Sequence, residues 1–116
     1  MSEAGPSLAD RTCVPCEEGA APLSAARIRP LFAELDGWTV VDDHHLEKNF
    51  KFRNFVTALD FVNRIGAIAE QESHHPDVML AWGRVVLQIW THSVDGLSEA
   101  DFVLAAKADR ERAASR

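Results

Sequence analysis

Apolar residues recur at spacings of three and four over part of the chain and alternate over others, and these two periods predict most of its architecture. The helical period runs through Phe55, Leu59, Val62, Ile65 and Ala69, with Asn54 placed to cap the helix. A shorter helix is expected over residues 24–35. Ser24 stands as its N-cap, Ile28, Leu31 and Leu35 share one face, and Gly37 suits a stop. Pro30 lies inside that run and predicts a kink or a later start. Between the helices, residues 38–42, a turn at Asp43-His44 and residues 45–52 read as a β-hairpin. Leu46, Phe50 and Phe52 fall on alternate positions there, as one buried face requires.

The helical period breaks at Ser73-His74-His75-Pro76. Residues 78–82 and 84–92 then predict two more strands that meet at Gly83, a bulge or tight bend. Val85, Leu87 and Ile89 face one way, while Val86, Gln88, Trp90 and His92 face the other if the strand stays regular. Ser98-Glu-Ala-Asp101 opens a final helix with Phe102, Ala105 and Ala106 as its buried side. The order α-β-β-α-β-β-α implies an α+β two-layer sandwich, a four-stranded antiparallel sheet with helices on one face.

Residues 1–23 carry neither period. Rich in Ala, Gly, Pro and Ser, they read as a flexible N-terminal arm that is loose or held by contacts elsewhere, leaving residues 24–116 as one domain. The arm holds Cys13-Val-Pro-Cys16, a CxxC that supplies two of the four ligands of a structural zinc. A metal there would have to borrow histidines or a second subunit. Two thiols in a turn made by Pro15 are the simpler reading, so no metal is expected.

Composition narrows the function. With 47% hydrophobic and 26% charged residues in 116, the chain is an ordinary globular domain. Its net charge of −6 makes it a poor generic ligand for nucleic acid or anionic lipid. No apolar run reaches the roughly 20 residues of a membrane span. The start lacks a basic and then apolar leader, which points to the cytoplasm.

Glu70, His74 and His75, with Thr91-His92 further on, concentrate groups suited to proton transfer near neutral pH. His74 and His75 follow a helix C-terminus, whose partial negative charge favours imidazolium. Pro76 restricts His75 to extended backbone. Glu70, one turn before His74, is placed to orient that imidazole. Three histidines also suit zinc, but adjacent ligands are an unusual spacing for it. His44 and His45 are expected in a solvent-facing turn. Asp101 has a purely structural use as the third residue of a capping box, and Trp82 and Trp90 serve sheet packing as readily as ligand stacking.

Glu70-x₃-His74-His75-Pro76, Trp82, Thr91-His92, Gly96-Leu97-Ser98 and Asp101 together resemble the pterin-4a-carbinolamine dehydratases, over roughly residues 24–108. The resemblance implies elimination of water from 4a-hydroxytetrahydropterin to give quinonoid dihydropterin, without metal or redox cofactor, in recycling tetrahydrobiopterin for aromatic amino acid hydroxylases. It implies His74, His75 and His92 as the acid, base and binding groups of a pterin site. Glu70, Pro76, Trp82, Thr91 and Asp101 would support them, and His75 with His92 would be the proton-transfer pair. It also implies a homodimer or homotetramer. The alternative is a protein-interaction module, since animal members also stabilise a transcription-factor dimer. Ser73 stands where relatives often carry an acidic residue, and Trp82-Gly83 where Tyr-Asn is common.

Overall fold

A computed structural model describes residues 7–14 and 20–114. Ser24 caps the first helix, α1 (Ala25–Phe32), by accepting from the Arg27 N–H, and Pro30 is accommodated inside it. A hairpin follows, β1 (Thr39–Val41) and β2 (His45–Lys51), and then α2 (Phe55–Glu72). A second hairpin, β3 (Asp77–Ala81) and β4 (Arg84–Ile89), leads to a 3₁₀ turn at His92–Val94 and the last helix, α3 (Glu99–Ala114). The strands pair antiparallel in the order β1-β2-β4-β3, so the α+β reading and its element order hold.

Period-2 patterning places Leu46 and Phe50 of β2 beside Val85, Leu87 and Ile89 of β4 on one buried face. The alternate residues, Glu47, Val86 and Gln88, occupy the opposite face. Phe61 of α2 packs its ring 4.9 Å from Phe50 and 5.2 Å from Phe52, joining helix to sheet. The Gly83 turn approaches Phe52 so closely that a Cβ there would lie 2.8 Å from the Phe52 carbonyl oxygen. Glycine is required there by close approach of two backbones.

Two faces differ from expectation. In α2 the buried stripe is Ala58, Phe61, Ile65 and Ala69, while Phe55, Val56 and Leu59 are exposed. The helix is apolar over more than one side, and the sheet selects the stripe that meets Phe50 and Phe52. In α3, residues 100–105 are all buried, not one side alone. The second cover comes from the N-terminal arm, which over residues 7–14 is held by contacts with the rest of the chain. Leu8 is buried in the core, Lys107 donates to the Ala9 carbonyl and Arg110 pairs with Asp10. Further along, the Cys13 N–H donates to Glu72 Oε1 and its thiol to the Ala100 carbonyl. Cys16, the second half of the CxxC, lies outside the described residues.

Candidate active site

Where α2 ends, Ser73 adopts left-handed backbone (φ 54°, ψ 36°), and the His74 N–H closes onto the Ala69 carbonyl. This reversal of a Schellman type caps the helix and throws the two histidines in different directions. His74 turns toward α3, where its Nε2 lies 2.6 Å from Asp101 Oδ1. His75 turns back over α2, its Nε2 2.6 Å from Glu70 Oε2. The expectation that Glu70 orients His74 is thus corrected. An i,i+4 pair needs the helix to continue, and it stops at Glu72.

The two pairs sit in different media. Asp101 is 0% exposed and accepts three hydrogen bonds: from His74, from the Thr91 hydroxyl (2.8 Å) and from the Ser98 N–H (2.8 Å). The Ser98 bond is the capping box read from sequence, so one carboxylate both starts α3 and fixes a site imidazole. Because a carboxylate only accepts, His74 Nε2 must carry the hydrogen. Glu70 and His75, by contrast, are largely open to solvent, with side chains 79% and 57% exposed.

Strand β4 ends at Ile89, before the expected His92. Thr91 pairs with Gly96 of its own loop rather than with β2, so His92 rides on the 3₁₀ turn and leaves the strand's alternation. Its ring lies edge-on to Trp90, with centroids 4.5 Å apart. Among the described residues its ring nitrogens have no hydrogen-bond partner.

His74, His75 and His92 come together on one cavity of about 260 Å³, completed by Trp90, Thr91, Ser98 and Val14 among others. Asp101 and Glu70 stand outside that lining, each hydrogen-bonded to one of the imidazoles. Pro76 follows His75 into β3 and is half-buried outside the lining. Trp82 is not brought in. It is 68% exposed in the β3–β4 turn, at the end of the hairpin away from His75. The aromatic wall of the cavity is Trp90, carried at the site end of β4.

Two features were not read from sequence. Val14 contributes to the cavity from the anchored arm, whose Cys13 thiol is pushed from 9.0 up to about 12 by burial and by the neighbouring Glu72 carboxylate. No local pattern signals that contact, because it joins residues far apart in the chain. His44 and His45, expected to face solvent, are half-buried and pack on Trp90. Among the described residues no group of three or more His, Cys, Asp and Glu side chains is arranged to hold a metal ion. Among them, too, no helix is long and apolar enough to cross a membrane.

Comparison with known proteins shows the family and the fold. The family model for pterin 4 alpha carbinolamine dehydratase matches residues 21–111. A Rubrobacter xylanophilus protein provisionally named pterin-4-alpha-carbinolamine dehydratase is 53% identical over 103 residues, covering 89% of this chain and 96% of the relative. A solved structure titled as a transcriptional coactivator/pterin dehydratase from Brucella melitensis superposes with a TM-score of 0.74 at 33% identity, over 78% of this chain and 97% of the other. The fold also recurs, at TM-score 0.57 and 20% identity, in a pterin dehydratase-like protein identified as a RuBisCO assembly factor in the alpha-carboxysome, over 66% of this chain and 89% of that one.

Proposed function

The chain belongs to the pterin 4 alpha carbinolamine dehydratase family, and on that premise we propose that it eliminates water from 4a-hydroxytetrahydropterin. In that step the C4a–O bond breaks, the departing hydroxyl takes a proton and leaves as water, and a ring nitrogen loses a proton to give quinonoid dihydropterin. The observation that carries the reading is the convergence of His74, His75 and His92 on one cavity, with a carboxylate hydrogen-bonded to each of the first two.

The three imidazoles suit different parts of the task. His92, whose ring nitrogens have no hydrogen-bond partner among the described residues, is available to the substrate at either nitrogen. His75, hydrogen-bonded to an exposed carboxylate, exchanges protons readily with solvent. These two form the proton-transfer pair. His74, locked to a buried carboxylate, holds and orients the ring. A cavity of about 260 Å³ fits one small heterocycle rather than a polymer. Trp90 gives the cavity an apolar wall against which the ring system of the pterin can pack.

In this reading the chain works in the cytoplasm, as a homodimer or homotetramer, on pterin released by aromatic amino acid hydroxylases. The exposed apolar stripe Phe55, Val56 and Leu59 on α2 supports self-association, as do Met79 and Val78 on edge strand β3. The test is the decay of 4a-hydroxytetrahydropterin with purified protein. Wild type should accelerate it, and His75→Ala and His92→Ala should each lose about 10²- to 10⁴-fold with the fold intact. No acceleration over buffer by folded wild type would refute the catalytic reading and favour an interaction module.

A further inference from the structure

His92 rides on an exposed turn, and a second set of side chains meets that turn from the opposite hairpin. The turn ends at Asp95 in left-handed backbone (φ 50°, ψ 50°), and Asp95 Oδ1 lies 2.9 Å from His44 Nε2 in the β1–β2 turn. His44 Nδ1 in turn lies 3.1 Å from His45 Nδ1. The Asp95 carboxylate accepts, so His44 Nε2 donates; with a neutral His44, its Nδ1 accepts and His45 Nδ1 donates. The rings of His44 and His45 also pack against Trp90 at 5.3 and 5.8 Å, and Trp90 presses its own ring on His92 at 4.5 Å.

We infer that Asp95 and His44 form a clasp that positions His92 for catalysis, fastening its turn to the β1–β2 hairpin and setting Trp90 as its backstop. The inference rests on the role of His92 proposed above. Three observations carry it. The His92 ring, with no hydrogen-bond partner among the described residues, makes its ring contact edge-on with Trp90. Trp90 is held in place by His44 and His45. The clasp itself is at the surface, with the Asp95 side chain 89% exposed, where such a pair contributes little to stability. A contact of small stabilising value that spans 51 residues and ends three residues from His92 is therefore a positioning device.

Four variants test it, each read by the His92 ring ¹H–¹⁵N resonances and by kcat and KM separately. His44→Phe keeps a ring on Trp90 but removes the donor, and Asp95→Gly removes the acceptor while tolerating left-handed backbone. Asp95→Asn retains both an acceptor and that backbone preference. A distant surface change, Glu34→Gln, serves as control. His44→Phe and Asp95→Gly should shift the His92 resonances and lower kcat about 3- to 10-fold with KM little changed, as small misplacements of a reacting group do. Asp95→Asn should behave as wild type. Unmoved His92 resonances in His44→Phe and Asp95→Gly would overturn the clasp, as would an Asp95→Asn as impaired as Asp95→Gly, or shifted resonances with unchanged kcat. The resonances need no turnover, so failure of the clasp is distinguishable from an inactive wild type.

Discussion

Replacing Asp101 by asparagine changes one atom of a buried side chain and leaves its shape, yet no orientation of the amide satisfies its neighbours while His74 keeps its present tautomer. With the amide nitrogen toward Thr91 and Ser98, it meets the Ser98 N–H, a donor that cannot reverse. With the nitrogen toward His74, that imidazole must give up its Nε2 hydrogen and move it to Nδ1. Either way at least one hydrogen bond to a buried charge is lost, at about 1.5–3 kcal/mol. For a domain near 100 residues that corresponds to a fall in Tm of about 7–14 °C. The rate of 4a-hydroxypterin dehydration should fall more than the fold suffers, by about 10²-fold, because His74 loses either its anchor or its tautomer and the ring it holds is misplaced. Thermal melting monitored by circular dichroism gives the first quantity and adduct decay the second. An Asp101→Asn protein that melts within about 2 °C of wild type and retains its rate would refute the assignment of Asp101 as the anchor of both α3 and His74.

Glu70→Gln, at an exposed pair, should change stability by less than about 1 kcal/mol in denaturant titration but lower kcat severalfold by releasing His75. Trp82→Ala should leave kcat and KM unchanged, since Trp82 lies outside the cavity; a large loss of activity in the folded variant would contradict that placement. Cys13, in a Cys16→Ser background, should alkylate far more slowly at pH 8 than a free thiol, because burial and then Glu72 push it up to about 12. The linkage has a definite sign. The folded value lies above the ordinary one, so the stability this thiol contributes is whole below about pH 9 and is lost as pH rises from 9 toward 12. Denaturant midpoints of wild type and Cys13→Ala, compared at pH 8 and 10.5, should show that loss in wild type alone.

What sequence revealed and what it hid divide along a physical line. The cap at Asn54, the strand face Val85-Leu87-Ile89 and the capping box at Asp101 are local, and each is where its spacing places it. The three site histidines were likewise legible as a set. Their partners were not. Whether Glu70 faces His74 or His75 depends on one left-handed residue, Ser73, and nothing in that position's residue type demands a positive φ. The exit of His92 from its strand depends on Thr91 preferring Gly96 to β2. Burial of all of residues 100–105 depends on the arm returning over α3, a contact across nearly the whole chain. Periodicity reports neighbours within a few residues, so such closures are invisible to it.

The divergence of His74 and His75 at Ser73 gives ionic strength a diagnostic value. Two imidazoles adjacent in the chain are each joined to a carboxylate at 2.6 Å, yet one carboxylate is wholly enclosed and the other lies open to solvent. Mobile ions screen exposed charges beyond a Debye length of about 8 Å at physiological strength and weaken surface pairs well before buried ones. Added salt therefore weakens the attraction of Glu70 for a protonated His75 more than that of Asp101 for His74. A neutral electrolyte becomes a tool for separating the work of two residues that no peptide map or chain position tells apart.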